Sequence, residues 1–486
     1  MVEEERRRPR LSPWTFLAFS ILATSIHKRL LSYLLPYGPA VDIPIRHRPK
    51  CVAPVVDDRR DSNNVVSLRM SSRGGITSTK IYERFEEGDG RRGPPLLLNP
   101  ETIVFDDDGA MYVMNENAKL IMLVDFVEES REEGEGDGGG EKTNDDARPV
   151  MVLTAKAIEV ADLGIGRPLG GKFGRNGCLY FADAVLGLAR VCDLPGVANT
   201  TTTSMSSSSS SSSSTSPRPI VELVASRVKL EDGSWSSINY ADDVDVGPRT
   251  GHVYFTDATD VRTDRDVRTG RWDILYASKV EGVRGKRTGR LLRYRPETGE
   301  VDVLASGAAF ANGVSVMDEE ETRVLYTSTF EAVVMMHRLD GNGKGGGGGG
   351  GGGGEGAERL LDGFPGLLDG IDCPRSRPGL CYVAIVSTLS PPVNAIFSMT
   401  PSWLGRVVRS LLMMIPRSWS PPLEPYGGVA EIFVGDDENG GPARITRIFQ
   451  DIDGRDFSTI TGVTEHDGKL YLGSLHADYV GVVSLD

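Results

Sequence analysis

A short strand pattern that returns six times along the 486-residue chain restricts its fold more than any other feature. Each copy places a tyrosine beside apolar residues, and four copies follow a dipeptide such as Asp108-Gly109 that permits a tight hairpin reversal. Units of this kind bury one face only by stacking on neighbours, and radial stacking of sheets produces a propeller. The pattern therefore predicts an all-β, six-bladed β-propeller. The six tyrosines are Tyr112, Tyr180, Tyr254, Tyr326, Tyr382 and Tyr471.

The spacing of the six copies predicts insertions between strands. Consecutive tyrosines are 68, 74, 72, 56 and 89 residues apart, which is more than a minimal blade needs. Three segments have the composition of such insertions: the acidic residues 128–146, the Ser/Thr run 200–216 and the polyglycine run 345–354. These low-complexity sequences cannot bury enough apolar surface to offset the entropy lost on ordering, so we expect them to be loops.

The N-terminus has the pattern of a membrane-targeting segment. Four arginines within residues 6–10 precede an uncharged, mostly apolar run over residues 11–26. The run is shorter than the roughly 20 residues of a typical spanning helix, yet it suits a signal anchor. A cleaved signal or targeting peptide and an interfacial helix are the alternatives. Positive charge ahead of the run predicts a single-pass type II membrane protein, with its propeller lumenal or extracellular, in the endoplasmic reticulum, another endomembrane or the plasma membrane.

These features divide the chain into three expected parts. Residues 1–39 are the cytoplasmic tail and the anchor or targeting segment, residues 40–92 a disordered stalk rich in Arg, Pro, Ser and Asp, and residues 93–486 the propeller. Outside the strand pattern, residues 401–415 carry apolar side chains at helical spacing beside Arg406 and Arg409. This predicted helix either covers one face of the propeller or lies at the membrane interface.

Charge and cysteine content restrict the partners and the chemistry. The chain has 54 basic and 68 acidic residues, a net charge of -14, whereas nucleic-acid binders present basic stripes, so we expect no nucleic-acid partner. The five cysteines form no CxxC pair, which disfavours a zinc site. Cys373 and Cys381 are close enough in sequence to bridge a short loop in an oxidising compartment, and two reduced thiols are an equally compatible reading.

Oxygen-bearing side chains recur 11 to 14 residues before four of the tyrosines. The first strand of every propeller blade lines the central channel, so these side chains should converge. Three carboxylates and an amide in one channel repel each other unless they are protonated or bridged by a cation, and such an oxygen set suits Ca²⁺. Hydrogen bonding to strand ends and channel water is the alternative. The four residues are Glu101, Asp242, Asn312 and Asp369, and the equivalent positions of the second and sixth copies hold Arg167-Pro168 and Ile460-Thr461.

Several motifs, in their order along the chain, resemble the strictosidine synthase-like family. They include GRPLG at 166–170, LYFADA at 179–184, DDVDV at 242–246, FANGV at 310–314 and the closing EHDGKLYLGS at 465–474. The resemblance covers about residues 93–486 and implies a six-bladed propeller related to gluconolactonases and paraoxonases. It also implies calcium ligation by Glu101, Asn312 and Asp369. The membrane-anchored branch that the chain most resembles is credited with arylesterase-like hydrolase activity.

Three positions depart from the pattern of this family. Asp242 stands where asparagine is usual, which keeps an oxygen but adds charge, and Gly370 replaces an asparagine that would supply a ligand. The paraoxonase histidine has no counterpart near Arg167. True strictosidine synthases use a channel glutamate where this chain has Thr461, which cannot act as a carboxylic acid or base. We therefore predict no strictosidine synthesis.

Two functions from different classes remain. The leading hypothesis is a membrane-anchored hydrolase of small-molecule esters or lactones, in which the four recurring oxygen residues hold a cation while Arg167 and Asp369 act on the substrate. The alternative is a membrane-tethered propeller that binds a ligand or partner without catalysis, which the loss of a ligand at Gly370 favours. The sequence leaves the substrate and the oligomeric state open.

Overall fold

The computed structural model describes residues 35, 37–38, 40–43, 48–51, 65–70, 77–84, 95–132, 149–194, 219–266, 268–339, 357–389, 391, 394–395, 403–414, 423–435 and 441–485. The apolar run 11–26 and the insertions 200–216 and 345–354 lie outside these residues. The acidic insertion lies outside them from residue 133 onward, and its first residues belong to a strand.

Strands make up most of the described chain. Two of them precede the blades: β1 (Val66–Arg69) and β2 (Ser78–Glu83). Blade 1 contains β3 (Thr102–Phe105), β4 (Met111–Met114), β5 (Lys119–Glu132) and β6 (Pro149–Asp162). Blade 2 contains β7 (Pro168–Phe173), β8 (Leu179–Asp183), β9 (Gly187–Cys192) and β10 (Ile220–Ala225). A separate hairpin of β11 (Arg227–Lys229) and β12 (Trp235–Ser237) follows.

The remaining blades repeat the same antiparallel order. Blade 3 contains β13 (Ala241–Val246), β14 (Val253–Asp257), β15 (Gly289–Arg295) and β16 (Glu300–Ala308). Blade 4 contains β17 (Ala311–Val316), β18 (Arg323–Ser328), β19 (Val333–Arg338) and β20 (Glu358–Leu361), with a 3-10 helix at Thr329–Glu331. Blade 5 contains β21 (Gly366–Asp372), β22 (Leu380–Thr388), β23 (Gly427–Phe433) and β24 (Arg444–Asp451). Blade 6 contains β25 (Ile460–His466), β26 (Lys469–Ser474) and β27 (Tyr479–Ser484).

The six first strands form a closed ring. Each of β3, β7, β13, β17, β21 and β25 contacts the next in that order, and β25 contacts β3. Strand β2 completes blade 6 by pairing antiparallel with β27, and its residues 81–83 also pair parallel with β6 of blade 1. Blade 5 gains a fifth strand because β1 pairs parallel with β24. The predicted six-bladed propeller is thus confirmed, and a strand from before residue 93 links its last and first blades.

The recurring tyrosines all lie on the second strand of their blades. Tyr112 packs in one cluster with Leu179 and Phe181 of blade 2, and Tyr254 packs with Val314 and Tyr326 of blade 4. Each blade therefore buries its face against the next one, as the stacking argument requires.

Residues 40–92 contain more order than the predicted disordered stalk. Besides β1 and β2, the Val41 amide donates to the Arg284 carbonyl at 2.9 Å, and the Ala40 amide donates to Ser410 Oγ at 3.0 Å. Strands β1 and β2 form here because a short outer strand takes its hydrogen bonds from distant strands. Local composition does not reveal such partners.

Two disulfides lie within blades. Cys373–Cys381 joins the end of β21 to β22, which selects the bridged alternative for this pair. Cys178, immediately before β8, is bridged to Cys192 at the end of β9, and this pair was not predicted from the sequence. Among the described residues Cys51 is left as a free thiol.

Two helices lie over one mouth of the channel. Helix α1 (Ile274–Arg284) begins after Asp273, whose side chain accepts the Tyr276 amide, and ends at Gly285 in the left-handed conformation. Helix α2 (Trp403–Leu412) lies within the predicted helical segment and packs against α1. The segment thus packs on the propeller, which agrees with the covering alternative, and the membrane-interface alternative stays a prediction. In the part of the chain that the structure describes, no helix is long and apolar enough to cross a membrane.

Candidate functional site

The candidate site lies where the first strands begin. Local shifts in pairing register, typical of β-bulges, occur at this level in five of the six first strands, and bulges redirect side chains. The six side chains at this level are buried, except for the half-buried Asp369. Five of them line a central cavity of about 210 Å³. The structure thus brings together the predicted set of Glu101, Arg167, Asp242, Asn312, Asp369 and Thr461.

Contacts between successive blades hold this level of the channel in place. Thr256 Oγ1 of β14 donates to the Asn312 carbonyl, and Thr327 Oγ1 of β18 donates to the Asp369 carbonyl, both at 2.6 Å. A Cβ atom at Gly370 would lie 2.7 Å from the Thr461 carbonyl oxygen. Position 370, where the family pattern has a ligand asparagine, therefore has no room for a side chain as long as β21 and β25 stay this close.

An ion pair joins blades 1 and 2 inside the channel. Arg167 Nη2 donates to Glu101 Oε2 at 3.1 Å, and Arg167 Nη1 donates to the Pro168 carbonyl at 2.9 Å. Burial raises the pKa of Glu101 to about 7, although the Arg167 charge opposes this rise. Glu101 can therefore exchange a proton near neutral pH.

Asp242 and Asp369 form an acidic pair in the same space. Burial raises the pKa of both carboxyls well above the ordinary value, and the charges of Asp369 and Glu101 add to the rise at Asp242. The Asn312 side chain hydrogen-bonds Asp369. Asp242 Oδ2 and Thr461 Oγ1 are buried without a hydrogen-bond partner among the described residues. The pair must retain protons or receive a cation, because uncompensated buried charges are costly.

Two residues at the site were not among the predicted set. Tyr240 lies between the acidic residues and α1, with its ring 5.2 Å from that of Phe310, and burial raises its pKa well above the ordinary value, with Asp242 contributing. Asp243 accepts the Val314 amide at 2.9 Å and so links blades 3 and 4. Its place in the DDVDV motif was a visible signal. For Tyr240 the signal was its position two residues before Asp242.

At the opposite end of the channel, the charged side chains neutralise one another. Lys172 Nζ lies 3.5 Å from Asp372 Oδ1 and 3.9 Å from Asp245 Oδ1. Burial alone would lower the pKa of Lys172, but these two carboxylates outweigh it and raise the pKa. Asp372 also accepts the Glu465 amide, and Asp245 accepts the Val316 amide. Because these charges have partners, we place the candidate site at the Glu101 end.

The Glu101 end has the right donors for a hard cation but not a closed ligand sphere. Three carboxylates, including that of Asp242 with its unpartnered oxygen, and an amide match the oxygen ligands that Ca²⁺ prefers. Among the described residues, however, no three His, Cys, Asp or Glu side chains are grouped closely enough to hold a metal ion. Calcium binding at Glu101, Asp242, Asn312 and Asp369 thus stays a prediction, with its donor chemistry favourable and its arrangement incomplete.

Comparison with known proteins finds a family match for part of the propeller. The strictosidine synthase family model matches residues 242–339, which comprise blade 3 and most of blade 4 and include Asp242 and Asn312. Blades 3 and 4 of this β-propeller therefore carry a match to the strictosidine synthase family model. The matched residues thus include two of the side chains that converge in the channel, Asp242 and Asn312.

Curated relatives of this strictosidine synthase-like chain come from animals and plants. The adipocyte plasma membrane-associated protein of Salmo salar is 28% identical over 65% of the chain and 62% of its own length. The human protein of that name is 29% identical over 66% of the chain and 64% of its own length. Protein STRICTOSIDINE SYNTHASE-LIKE 2 of Arabidopsis thaliana is 26% identical over 66% of the chain and 71% of its own length. The chain thus spans less than two thirds of the two animal relatives.

Solved structures with a similar course of the chain are more distant. A gluconolactonase-family protein is 12% identical, covers 84% of this chain and 97% of its own, and has a TM-score of 0.38. The calcium-binding protein regucalcin of Agrobacterium tumefaciens is 12% identical over 80% of this chain and 90% of its own, with a TM-score of 0.37. The fold assignment rests on the closed ring of first strands.

Proposed function

We propose that this strictosidine synthase-like propeller hydrolyses esters or lactones at the Glu101 end of its channel. The observation that carries the proposal is the buried convergence of one guanidinium and three carboxyls, with Asp242 Oδ2 left unpartnered. Strongly perturbed carboxyl groups in a channel are typical of sites for proton transfer.

Three residues have defined parts in the proposed reaction. Arg167, which donates to Glu101, supplies the positive charge beside the cavity that stabilises the negative charge developing on the substrate carbonyl oxygen. Glu101, whose pKa is about 7, accepts the proton of the attacking water. Asp369, whose pKa burial raises well above the ordinary value, donates a proton to the leaving alkoxide. Bond formation from water to carbon and cleavage of the carbon-oxygen bond then yield a carboxylic acid and an alcohol.

Calcium, held by Glu101, Asp242, Asn312 and Asp369, would add Lewis-acid polarisation of the carbonyl when bound. In its absence Asn312 keeps its hydrogen bond to Asp369, and Arg167 remains the cation that neutralises Glu101. The contribution of calcium therefore differs from that of the guanidinium and can be measured separately.

The proposed location is a membrane facing an oxidising lumen or the cell exterior, with type II topology. The apolar run 11–26 preceded by arginines supports it. Two disulfides suit such a compartment. The names of the animal relatives, which describe membrane association of those proteins, agree with this location.

Turnover of an aryl-ester and lactone panel, measured with calcium and with a chelator, tests the hydrolase proposal. Glu101→Gln should lower kcat by roughly 100-fold or more, because it removes a general base. Asp302→Asn is the matched control, since Asp302 pairs with Arg293 on the outer strands of blade 3. Undiminished turnover by folded Glu101→Gln protein would refute the assignment.

A non-catalytic binding propeller is the second candidate. The absence of side-chain space at Gly370 and the incomplete ligand grouping favour it. Calorimetry that detects calcium or a small ligand, together with no turnover across the whole panel, would support this candidate over the hydrolase.

A further inference from the structure

Helix α2 directs its polar side to the protein and its apolar side to solvent. Arg409 and Ser410 are buried, whereas Leu404 and Leu411 are 56% and 51% exposed. The two leucines are seven residues apart and so lie on one face, two turns from each other. Helices of soluble proteins normally face the core with their apolar stripe. The orientation of α2 is the reverse.

Polar contacts fix this reversed orientation. Arg409 Nη1 donates to the Val283 carbonyl of α1 at 3.0 Å, and Arg409 Nη2 donates to the Val41 carbonyl. Arg406 pairs with Asp42, and Ser410 accepts the Ala40 amide. Rotation of α2 to bury its leucines would break all these contacts and leave a buried guanidinium unpaired, so the outward apolar face is a stable feature of the fold.

The residues that hold α2 follow the apolar N-terminal segment in sequence. Residues 40–43, which we call the strap, include Val41, whose exposed side chain adds to the apolar surface beside α2. Leu35 is buried, and only nine residues separate it from Ile26 at the end of the predicted anchor. Nine residues reach at most about 32 Å when fully extended. An anchor embedded in a bilayer would therefore keep Leu35, which lies five residues before the strap that contacts α2, within about that distance of the lipid.

We propose that α2 and the strap form the surface through which the propeller lies on a lipid bilayer. Leu404, Leu411 and Met414 enter the boundary between headgroups and acyl chains, with the helix axis in the membrane plane, as interfacial amphipathic helices do. The short tether to the apolar run argues for lipid as the occupant of this face. Because α2 packs against α1, which shares a buried cluster with Leu169, Tyr240 and Phe310 at the Glu101 end, this mouth of the channel faces the membrane. The proposal stands independently of the hydrolase function.

Site-specific polarity probes in the full chain test the proposal. An environment-sensitive fluorophore is attached at Leu411→Cys in a Cys51→Ser background, where the remaining cysteines are bridged. Leu223→Cys is the matched control, since Leu223 is 56% exposed on blade 2. With phosphatidylcholine vesicles containing phosphatidylserine, we expect a blue-shifted emission and strong quenching by nitroxide lipids at position 411 only.

Three results would overturn the inference. The first is equal, water-like emission at both positions on vesicle-bound protein, and the second is failure of the full chain to bind the vesicles. The third is a blue shift at position 411 that depends on protein concentration without vesicles, which would indicate a second copy of the chain as the occupant. A probe at Leu404→Cys repeats the measurement if the first variant does not fold.

Discussion

Glu101 links the protonation of the channel to the stability of the propeller. Its pKa of about 7 in the folded chain exceeds the ordinary 4.5, so the folded state binds this proton more tightly than the unfolded state. In chelator, the free energy of unfolding should therefore fall as the pH rises from about 4.5 to 7. The difference of 2.5 pH units sets an upper limit of about 3 kcal/mol for this residue.

Denaturant unfolding at pH 5 and pH 8 measures this effect. We expect Glu101→Gln to lose less stability between the two values than the parent chain, by up to about 3 kcal/mol. Glu300→Gln is the control, because Glu300 is exposed on the edge of blade 3. An identical pH dependence in the parent chain and Glu101→Gln would show that Glu101 is ionised throughout.

Gly370 tests the packing of the ring at a single atom. A Cβ atom there would lie 2.7 Å from a backbone oxygen, and neither strand can move away without disturbing its neighbour. Gly370→Ala should cost about 1 to 3 kcal/mol in the free energy of unfolding. Gly441→Ala, where the nearest atom is 3.9 Å away, should change it by less than about 0.5 kcal/mol. Equal effects of the two substitutions would contradict the close approach at Gly370.

The residues of the site were predictable to the extent that they follow strand register. Asp242, Asn312 and Asp369 could be aligned by counting back from the blade tyrosines, and the structure brings them together with Glu101. The pairing of Arg167 with Glu101 joins residues 66 positions apart in different blades, and register does not specify it. The same limit applies to Gly370, since only the neighbouring strand shows why the expected asparagine cannot be accommodated.

Each disulfide links two adjacent strands of a single blade. Cys178–Cys192 and Cys373–Cys381 close loops of 14 and 8 residues. Loop-entropy arguments give about 3 and 2.5 kcal/mol for loops of this size. Replacing Cys373 and Cys381 with serine should therefore lower the free energy of unfolding by about 2 to 3 kcal/mol, measured by denaturant titration.

Cys51→Ser is the control for this substitution, because Cys51 forms no bridge in the described chain. Reductant should destabilise the parent chain by more than the variant with Cys373 and Cys381 replaced by serine, because that variant has only the Cys178–Cys192 bridge left to lose. If reductant leaves the unfolding midpoint of the parent chain unchanged, the bridges contribute nothing to stability.

Element prediction succeeded where the pattern was local and failed where it was not. The second strands and the helix at Trp403–Leu412 follow from alternation, turn dipeptides and helical spacing. The register shifts at the start of the first strands have no sequence signature comparable to a turn dipeptide, yet they orient the site. Helix α1 was not predicted because only part of its surface is apolar. Its polar contacts with α2 and the strap stabilise the remaining surface.

For the whole molecule, the decisive element is β2. Without it, blade 6 would end at β27 and present an open edge towards β6 of blade 1. Ile81 of β2 is buried in one cluster with Leu97 and Val480, so the strand contributes packing as well as hydrogen bonds. A boundary at residue 93, which the composition of the chain suggested, would remove this link.

Two truncated chains separate the role of β2 from that of everything before it. A chain beginning at residue 77 retains β2 but lacks β1 and the strap, whereas a chain beginning at residue 93 lacks β2 as well. We expect the second chain to melt at a lower temperature and to self-associate, because exposed strand edges pair with other copies. Scanning calorimetry and light scattering measure both properties. If the two chains melt at the same temperature and both remain monomeric, the six first strands hold the ring closed by themselves. In that case β2 is only an addition to the edge of blade 6.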